Sequence, residues 1–501
     1  MVEFSSVLTS SGNTESERYL VRLAKKAFLS LWSYPNLYTD EGRHGNGNGK
    51  ELCDLLVVFG NDVILFSDKA CKFTAHENIN VAWSRWYRRA VEKSARQLSG
   101  AESWIKRFPN KIYLDSNCKA PLPVKLPKET DIRIHLVAVT RGASEYAESY
   151  WGGGSSGSLF IDTKLVGDDH KNSPFRIGWA LSNKRLVHVF DETTLDIVLG
   201  ELDTISDFIS YLTKKEERFT TPGSDFLIPG EEELVAFYLQ HYDFRREEYY
   251  FPVVPEDALV VLQEGGWRRL KKSRQYQARC EENEISYLWD TLIEFQNDHI
   301  LAGSAEALIG DSNPVMYERI MRMMAEENRL SRRSLGESIN RANSINEPGK
   351  RFTRTIFSAS REGRAYIFMT MPRPEECNQE EYLELRRGDI LLYAYGCKLK
   401  FEKIKEIIGI AFAPGQEILT SVDYFLINFG EAPFDEEFAD EVKQRISDAE
   451  MWSPIATKWS SIRPIPFPYN VTIFEKIIFW TRLSLYRCRN YVSQLMRRLK
   501  W

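Results

Sequence analysis

Between Gly49 and Lys69 the chain reads GKELCDLLVVFGNDVILFSDK, with its ionisable residues gathered at the two ends of an apolar stretch. LLVVF and VILF are short apolar, β-branched runs separated by Gly60-Asn61, a strong hairpin signal. A two-residue turn pairs Phe59 with Asp62, and therefore Asp54 with Ser67. Side chains alternate with period two, so Asp54, Ser67 and Lys69 then share one face. A three-residue turn would instead set Asp68 opposite Asp54 and turn Lys69 away. The first register keeps a carboxylate and an ammonium together at the edge of an apolar core, and we prefer it.

In this pattern the sequence resembles the PD-(D/E)xK nuclease superfamily, which includes many restriction endonucleases and DNA-repair nucleases. In that family an Asp opens the hairpin, an acidic residue two before a Lys closes it, and a Glu often comes from the preceding helix. The resemblance covers about the first 110 residues and extends, as the rest of the sheet, to about 215. It implies Asp54 as the first metal ligand, Lys69 as the catalytic lysine and Glu17 as the helix carboxylate, with Glu15 a weaker alternative. It also implies Mg²⁺ or Mn²⁺ as cofactor and DNA as substrate. Mg²⁺ prefers carboxylate oxygens and water. Such a metal polarises the scissile phosphate and activates water, while a lysine orients that water and offsets developing charge. The departure is Ser67, which stands where an acid is expected, with Asp68 beside it. Either Glu17 or Glu51 then completes the metal set with Asp54, or the other register brings in Asp68. The alternative reading is a catalytically degenerate nuclease fold that binds nucleic acid or a protein partner. Nucleases joined to large further regions often serve bacterial defence against phage, and for this chain that context is analogy.

These residues need elements to hold them. A helix is expected from Thr14, with Glu17 three residues on as a capping box, through Tyr19, Leu20, Leu23, Ala27 and Leu31 to a stop near Pro35. After the hairpin, a basic amphipathic helix should run from about Val81 to Arg107, with Trp83, Trp86, Tyr87, Ala90, Val91 and Leu98 on its apolar face. In the nuclease picture Arg85, Arg88, Arg89, Lys93 and Arg96 would contact phosphates, and Gln97 would sit near the catalytic edge. Strands are expected at KIYLD (111–115), IHLVAV (134–139) and LVHVFD (186–191). The fold class is therefore α/β, a restriction-endonuclease-like mixed sheet flanked by helices. One acidic helix carrying Asp196, Glu201, Asp203 and Asp207 should follow, with those acids on a solvated face. The loop WGGGSSGS (151–158) lacks the Lys-Ser/Thr that would close a P-loop and reads as a mobile surface loop.

A composition shift at TTPGSD places a nuclease-like domain at 1–220, followed by a mainly helical region, 221–345. A second α/β region, 346–501, has strands at AYIFMT, DILLYAY and EIIGIAFA. It ends in a basic amphipathic stretch from Ile473 to Trp501, with seven basic residues against Glu475 alone. That stretch could serve nucleic acid, an anionic surface, a protein partner or a homo-oligomer. The seven cysteines form no CxxC pair, no secretory signal precedes them, and no apolar run is long enough for a bilayer, so a cytoplasmic protein with reduced thiols is expected. The net charge of -5 decides nothing about DNA. The seven histidines show no ligand spacing, so no zinc site is expected.

Overall fold

Thr14 opens the first helix through a capping box. Its hydroxyl accepts from the Glu17 N–H at 3.2 Å, and the Glu17 carboxylate accepts from the Asn13 and Thr14 N–H groups at 2.7 and 3.3 Å. Helix α1 runs Glu15–Phe28. It stops well before Pro35 because Leu29 turns to φ 65, and a short 3-10 turn, Ser30–Trp32, leads into strand β1, Ser33–Thr39. Pro35 lies within that strand, opposite Leu55. A proline is tolerated there because the far edge of β1 is paired only at Tyr38 and Thr39.

The computed structural model describes residues 12–43, 47–153, 155–255, 257–303, 314–344, 351–414, 419, 421–430, 435–449, 451 and 464–467. The basic stretch Ile473–Trp501 lies outside them.

Strands β2 (Lys50–Phe59) and β3 (Asp62–Ala70) form the hairpin. Phe59 pairs with Asp62 and Leu55 with Phe66, which is the two-residue-turn register, and Gly60 takes the positive φ, 59°, that the turn requires. The basic helix follows as α2 (Ile79–Tyr87) and α3 (Lys93–Arg107), joined by a π-helical turn, Arg88–Glu92, with the expected apolar face buried. A short edge strand, β4 (Ile112–Tyr113), is all that forms of the strand expected at 111–115. β5 (Arg133–Arg141) then lies parallel to β3. With β8 (His188–Phe190) parallel to β5, the sheet has the order β4-β1-β2-β3-β5-β8. On one face Leu20 and Phe28 of α1 belong to the same core as Ile64 and Phe66. On the other, Trp83 and Trp86 join Val63 and Leu65. The result is a mixed α/β structure with helices on both faces of the sheet.

A second sheet, order β12-β9-β6-β7, uses β6 (Phe160–Val166), β7 (Arg176–Trp179), β9 (Ser224–Ile228) and β12 (Ala258–Val261). Its strands come from both sides of residue 220. A small hairpin, β10 (Tyr242–Asp243) and β11 (Glu248–Tyr249), stands apart from it. The loop at 151–158 is not wholly on the surface. Ser155 and Ser158 are buried, and Ser156 donates to the buried carboxylate of Glu232.

The acidic helix also departs from expectation. It breaks into α4 (Thr194–Glu201) and α5 (Ile205–Thr220), because the Thr204 hydroxyl accepts from Asp207 N–H at 3.0 Å and starts a new helix. Asp203 is buried and bound by Arg329 Nε at 2.8 Å, and Asp207 accepts the Arg329 N–H at 2.8 Å. These acids hold a distant helix, Arg329–Ser344, rather than facing solvent.

The third sheet, order β13-β14-β15-β16, is Phe352–Phe357, Arg364–Thr370, Glu406–Phe412 and Asp423–Asn428. DILLYAY is not one of its strands but part of a helix, Gln379–Lys400. Asn378 caps that helix, and Tyr382, Arg386, Ile390, Ala394 and Cys397 are buried at helical spacing. Among the described residues no helix is long and apolar enough to cross a membrane.

Phe28 is fully buried, with ring centroids 5.0 Å from Phe208 and 6.0 Å from Phe66. Phe28→Ala should lower stability by about 3–5 kcal/mol, read as a shifted denaturation midpoint. Glu232 supplies a pH test. Burial, against the Ser156 hydroxyl, pushes its carboxyl from an ordinary 4.5 up to about 8. Between those values the folded protein keeps a proton that the unfolded chain has lost, so this group makes stability fall as pH rises, levelling off above 8. Subtracting the stability profile of Glu232→Gln from that of the wild type should expose this slope, at most about 1.4 kcal/mol per pH unit. A flat difference would refute it.

Candidate active site

Asp54 comes from the buried middle layer. Lys69 Nζ lies 3.4 Å from Asp54 Oδ2, and the same oxygen accepts the Asp68 N–H at 2.5 Å. The Asp54 side chain is 2% exposed and that of Lys69 23%, so the pair sits where the core meets solvent. A buried carboxylate needs such partners, because its desolvation costs several kcal/mol if uncompensated.

Ser67 faces the same way. Its hydroxyl lies 3.3 Å from Ser94 Oγ and 3.2 Å from Gln97 Oε1, and Ser94 in turn donates to the Ala90 carbonyl at 2.7 Å. The π turn immediately before α3 sets the phase that brings both residues over Ser67. Gln97 therefore reaches the hairpin as expected. Ser94 was not anticipated, although its spacing of three from Gln97 puts both on one helix face.

Glu51 reaches the pair through a β-bulge. Leu37 pairs with Cys53 but Tyr38 with Glu51, so Leu52 is an extra residue that re-aims the strand. Burial, then a hydrogen bond shared with Asp54 and the charge of Asp54, push the Glu51 carboxyl up to about 7, against the pull of Lys69.

Glu17 and Asp68 belong to the α1 face. The Glu17 oxygen Oε2 is engaged by the capping box, yet the carboxylate is near enough for its charge to raise both Glu51 and Asp68. Asp68 lies 3.6 Å from Arg141 Nε. Burial raises the Asp68 pKa, and Arg141 and the Ser16 hydroxyl oppose that. Arg141, at the end of β5, was also not anticipated. Glu15 is exposed at the start of α1.

The basic residues of the helix are all exposed, and several are engaged with neighbouring groups. Arg89 donates to the Lys72 carbonyl at 3.1 Å, beside the chain leaving β3. Arg96 pairs with Glu92, and Arg88 and Arg96 both act on Asp168. Arg85 and Lys93 project into solvent.

Two carboxyls within hydrogen-bonding reach, one of them raised by desolvation and then by the other, suit a hard cation that takes few protein ligands and completes its shell with water. Glu51 and Asp54 are the residues that would hold it. They do not join Glu17 or Asp68 in a trio of ligand atoms within 4.8 Å. Among the described residues only His135, His188 and Glu216 do so. Their meeting is one that histidine spacing in the chain does not show. His135 Nδ1 is 2.9 Å and His188 Nε2 3.0 Å from Glu216 Oε1, while His135 Nε2 is 3.3 Å from Asp62 Oδ1. Burial lowers His188 to about 4, against its bond to Glu216. Burial also works to lower His135, but its bonds to Asp62 and Glu216 outweigh it.

No family model, curated protein or solved structure matches this chain.

Asp68 and Arg141 behave as a structural pair, which stability can test. Arg141→Leu should destabilise the protein by about 3–5 kcal/mol by stranding a buried carboxylate. The double variant Arg141→Leu/Asp68→Asn should recover most of that loss. Chemical denaturation of both reads the difference, and equal losses would contradict the pairing.

Proposed function

We propose that the protein is a Mg²⁺-dependent nuclease of the PD-(D/E)xK type acting on DNA. The observation that carries the reading is the meeting of Asp54 and Lys69 at 3.4 Å across the β2–β3 hairpin. The element order supports it: a helix, three antiparallel strands, a helix, then a strand parallel to the third. Gln97 from the second helix, on the same face as Ser67, adds to it.

A divalent cation at this site would supply Lewis-acid polarisation of a phosphate oxygen and of water. Asp54 and Glu51 would hold that cation. Lys69, anchored by Asp54 and open on one side, presents an ammonium that can orient an attacking water and offset charge on the phosphate. Glu17 fixes the start of α1 beside them and adds negative charge. Gln97 and Ser94 hold Ser67 in place. Arg89, beside the strand end, is the basic residue best placed to meet a phosphate, with Arg85 before it and Lys93 after it.

The degenerate reading has a specific observation of its own. Ser67 is already engaged with Ser94 and Gln97, so one expected acid is replaced by a neutral hydrogen-bonded group. The experiment separates the two. Supercoiled plasmid is incubated with the full chain and Mg²⁺ or Mn²⁺, beside Asp54→Ala and Lys69→Ala. Each variant should lose at least about 100-fold in rate. Cutting that persists in both sinks the assignment. Salt-dependent DNA binding without cutting, and no Mg²⁺ heat by calorimetry, would favour the binding module.

A further inference from the structure

The buried trio at the other end of the sheet has no part in the chemistry proposed above. His135 and His188 stand on the adjacent parallel strands β5 and β8, on the face that α5 covers, and Glu216 comes down from α5. Both histidines are almost wholly buried, at 1% and 0% exposure. From the convergence of these side chains we infer a second metal site, in which His135, His188 and Glu216 bind a divalent transition ion of the zinc class.

The geometry is close to what such an ion needs. Zinc bonds of about 2.0–2.1 Å to nitrogen and oxygen in a tetrahedral shell place ligand atoms about 3.3 Å apart. Here the two N···O separations are 2.9 and 3.0 Å, and all three ligand atoms lie within 4.8 Å of one another. Shifts of a few tenths of an ångström open the N···O spacing, and the two imidazoles need only close on a common centre. The donor set, two imidazoles and a carboxylate, is one that zinc accepts with water in a fourth position.

The surroundings are those of a ligand shell. His135 turns its other nitrogen to Asp62 Oδ1 at 3.3 Å, the carboxylate contact that orients a metal-binding histidine. Arg133 Nη2 holds the other Asp62 oxygen at 2.7 Å. Arg185 Nη1 lies 4.0 Å from Glu216 Oε2, which leaves Oε1 for the two imidazoles. The Glu216 side chain is 20% exposed, so an ion and a water can enter from that side. Bound there, the ion would tie two strands to the helix that covers them.

The test uses the full chain, stripped with a chelator, exposed to Zn²⁺ and desalted. Metal analysis should find zinc retained by the wild type and by Asp54→Asn, but lost from His188→Gln and Glu216→Gln. Zinc should raise the melting midpoint of the first two only. Asp62→Asn, which keeps all three ligands, should weaken retention by about 10–100-fold. If the ligand variants fail to fold, Co²⁺ added to the stripped wild type decides. Intense visible absorption of a four-coordinate cobalt ion supports the site, and the weak spectrum of hydrated cobalt overturns it. No zinc retained by the wild type, or equal retention in His188→Gln, also overturns it. Loss in Asp54→Asn would assign the ion to the hairpin instead. None of these readouts depends on DNA cleavage, so each site can fail without the other.

Discussion

A strand shows its side chains alternately to two faces, and in this protein the pairing of Phe59 with Asp62 decides which face each polar residue meets. Four polar residues of the hairpin inherit their face from that one turn. Asp54, Ser67 and Lys69 go to the side covered by α3, where Gln97 and Ser94 await them. Asp68 goes to the side covered by α1, where Arg141 faces it at 3.6 Å. A slip of one position would exchange these environments and bury Lys69 beneath α1. Gly60 and Asn61 thus set the surroundings of these groups without touching them.

The charges around the hairpin divide by what compensates them. Asp54 is made tolerable by a backbone N–H and a lysine that reaches solvent. Asp68 is closed in beside an arginine at 3.6 Å, which offsets only part of the burial that raises its pKa. Glu51 is the least settled of the three. It stands beside Asp54, and desolvation first, then Asp54 itself, raise its pKa more than Lys69 lowers it. A local excess of carboxylate at a solvent-facing edge is the electrostatic condition a cation relieves.

Much of this was legible in the sequence. The hairpin register followed from apolar runs around Gly60-Asn61, the helix start from Thr14 and Glu17, and the buried face of α2 and α3 from apolar spacing. These are local signals, and local physics decided them. β1 was hidden because Pro35 suggests a break, and only the pairing with β2 shows that the proline has a tolerant place. DILLYAY suits a strand by composition, but the capping box at Asn378 and the buried face from Tyr382 to Cys397 make it a helix. The meeting of His135 and His188 with Glu216 could not be read at all. Glu216 lies 81 and 28 residues from them in the chain, and the pairing of β5 with β8 beneath α5 brings the three together.

The buried arginines of the helix Arg329–Ser344 have a consequence for how this protein could have been assembled. Arg329 satisfies Asp203 and Asp290, Arg332 also binds Asp290, and Trp32 and Ser30 reach across to Glu318 and Glu294. Remove the later part of the chain and Asp203 is left charged inside a core with no counterion. The hairpin and its sheet are therefore not a cassette that could be lifted out and grafted elsewhere. A change in the arginine-bearing helix is felt at Asp203, between Leu202 and Ile205 of the core that α1 and the hairpin share.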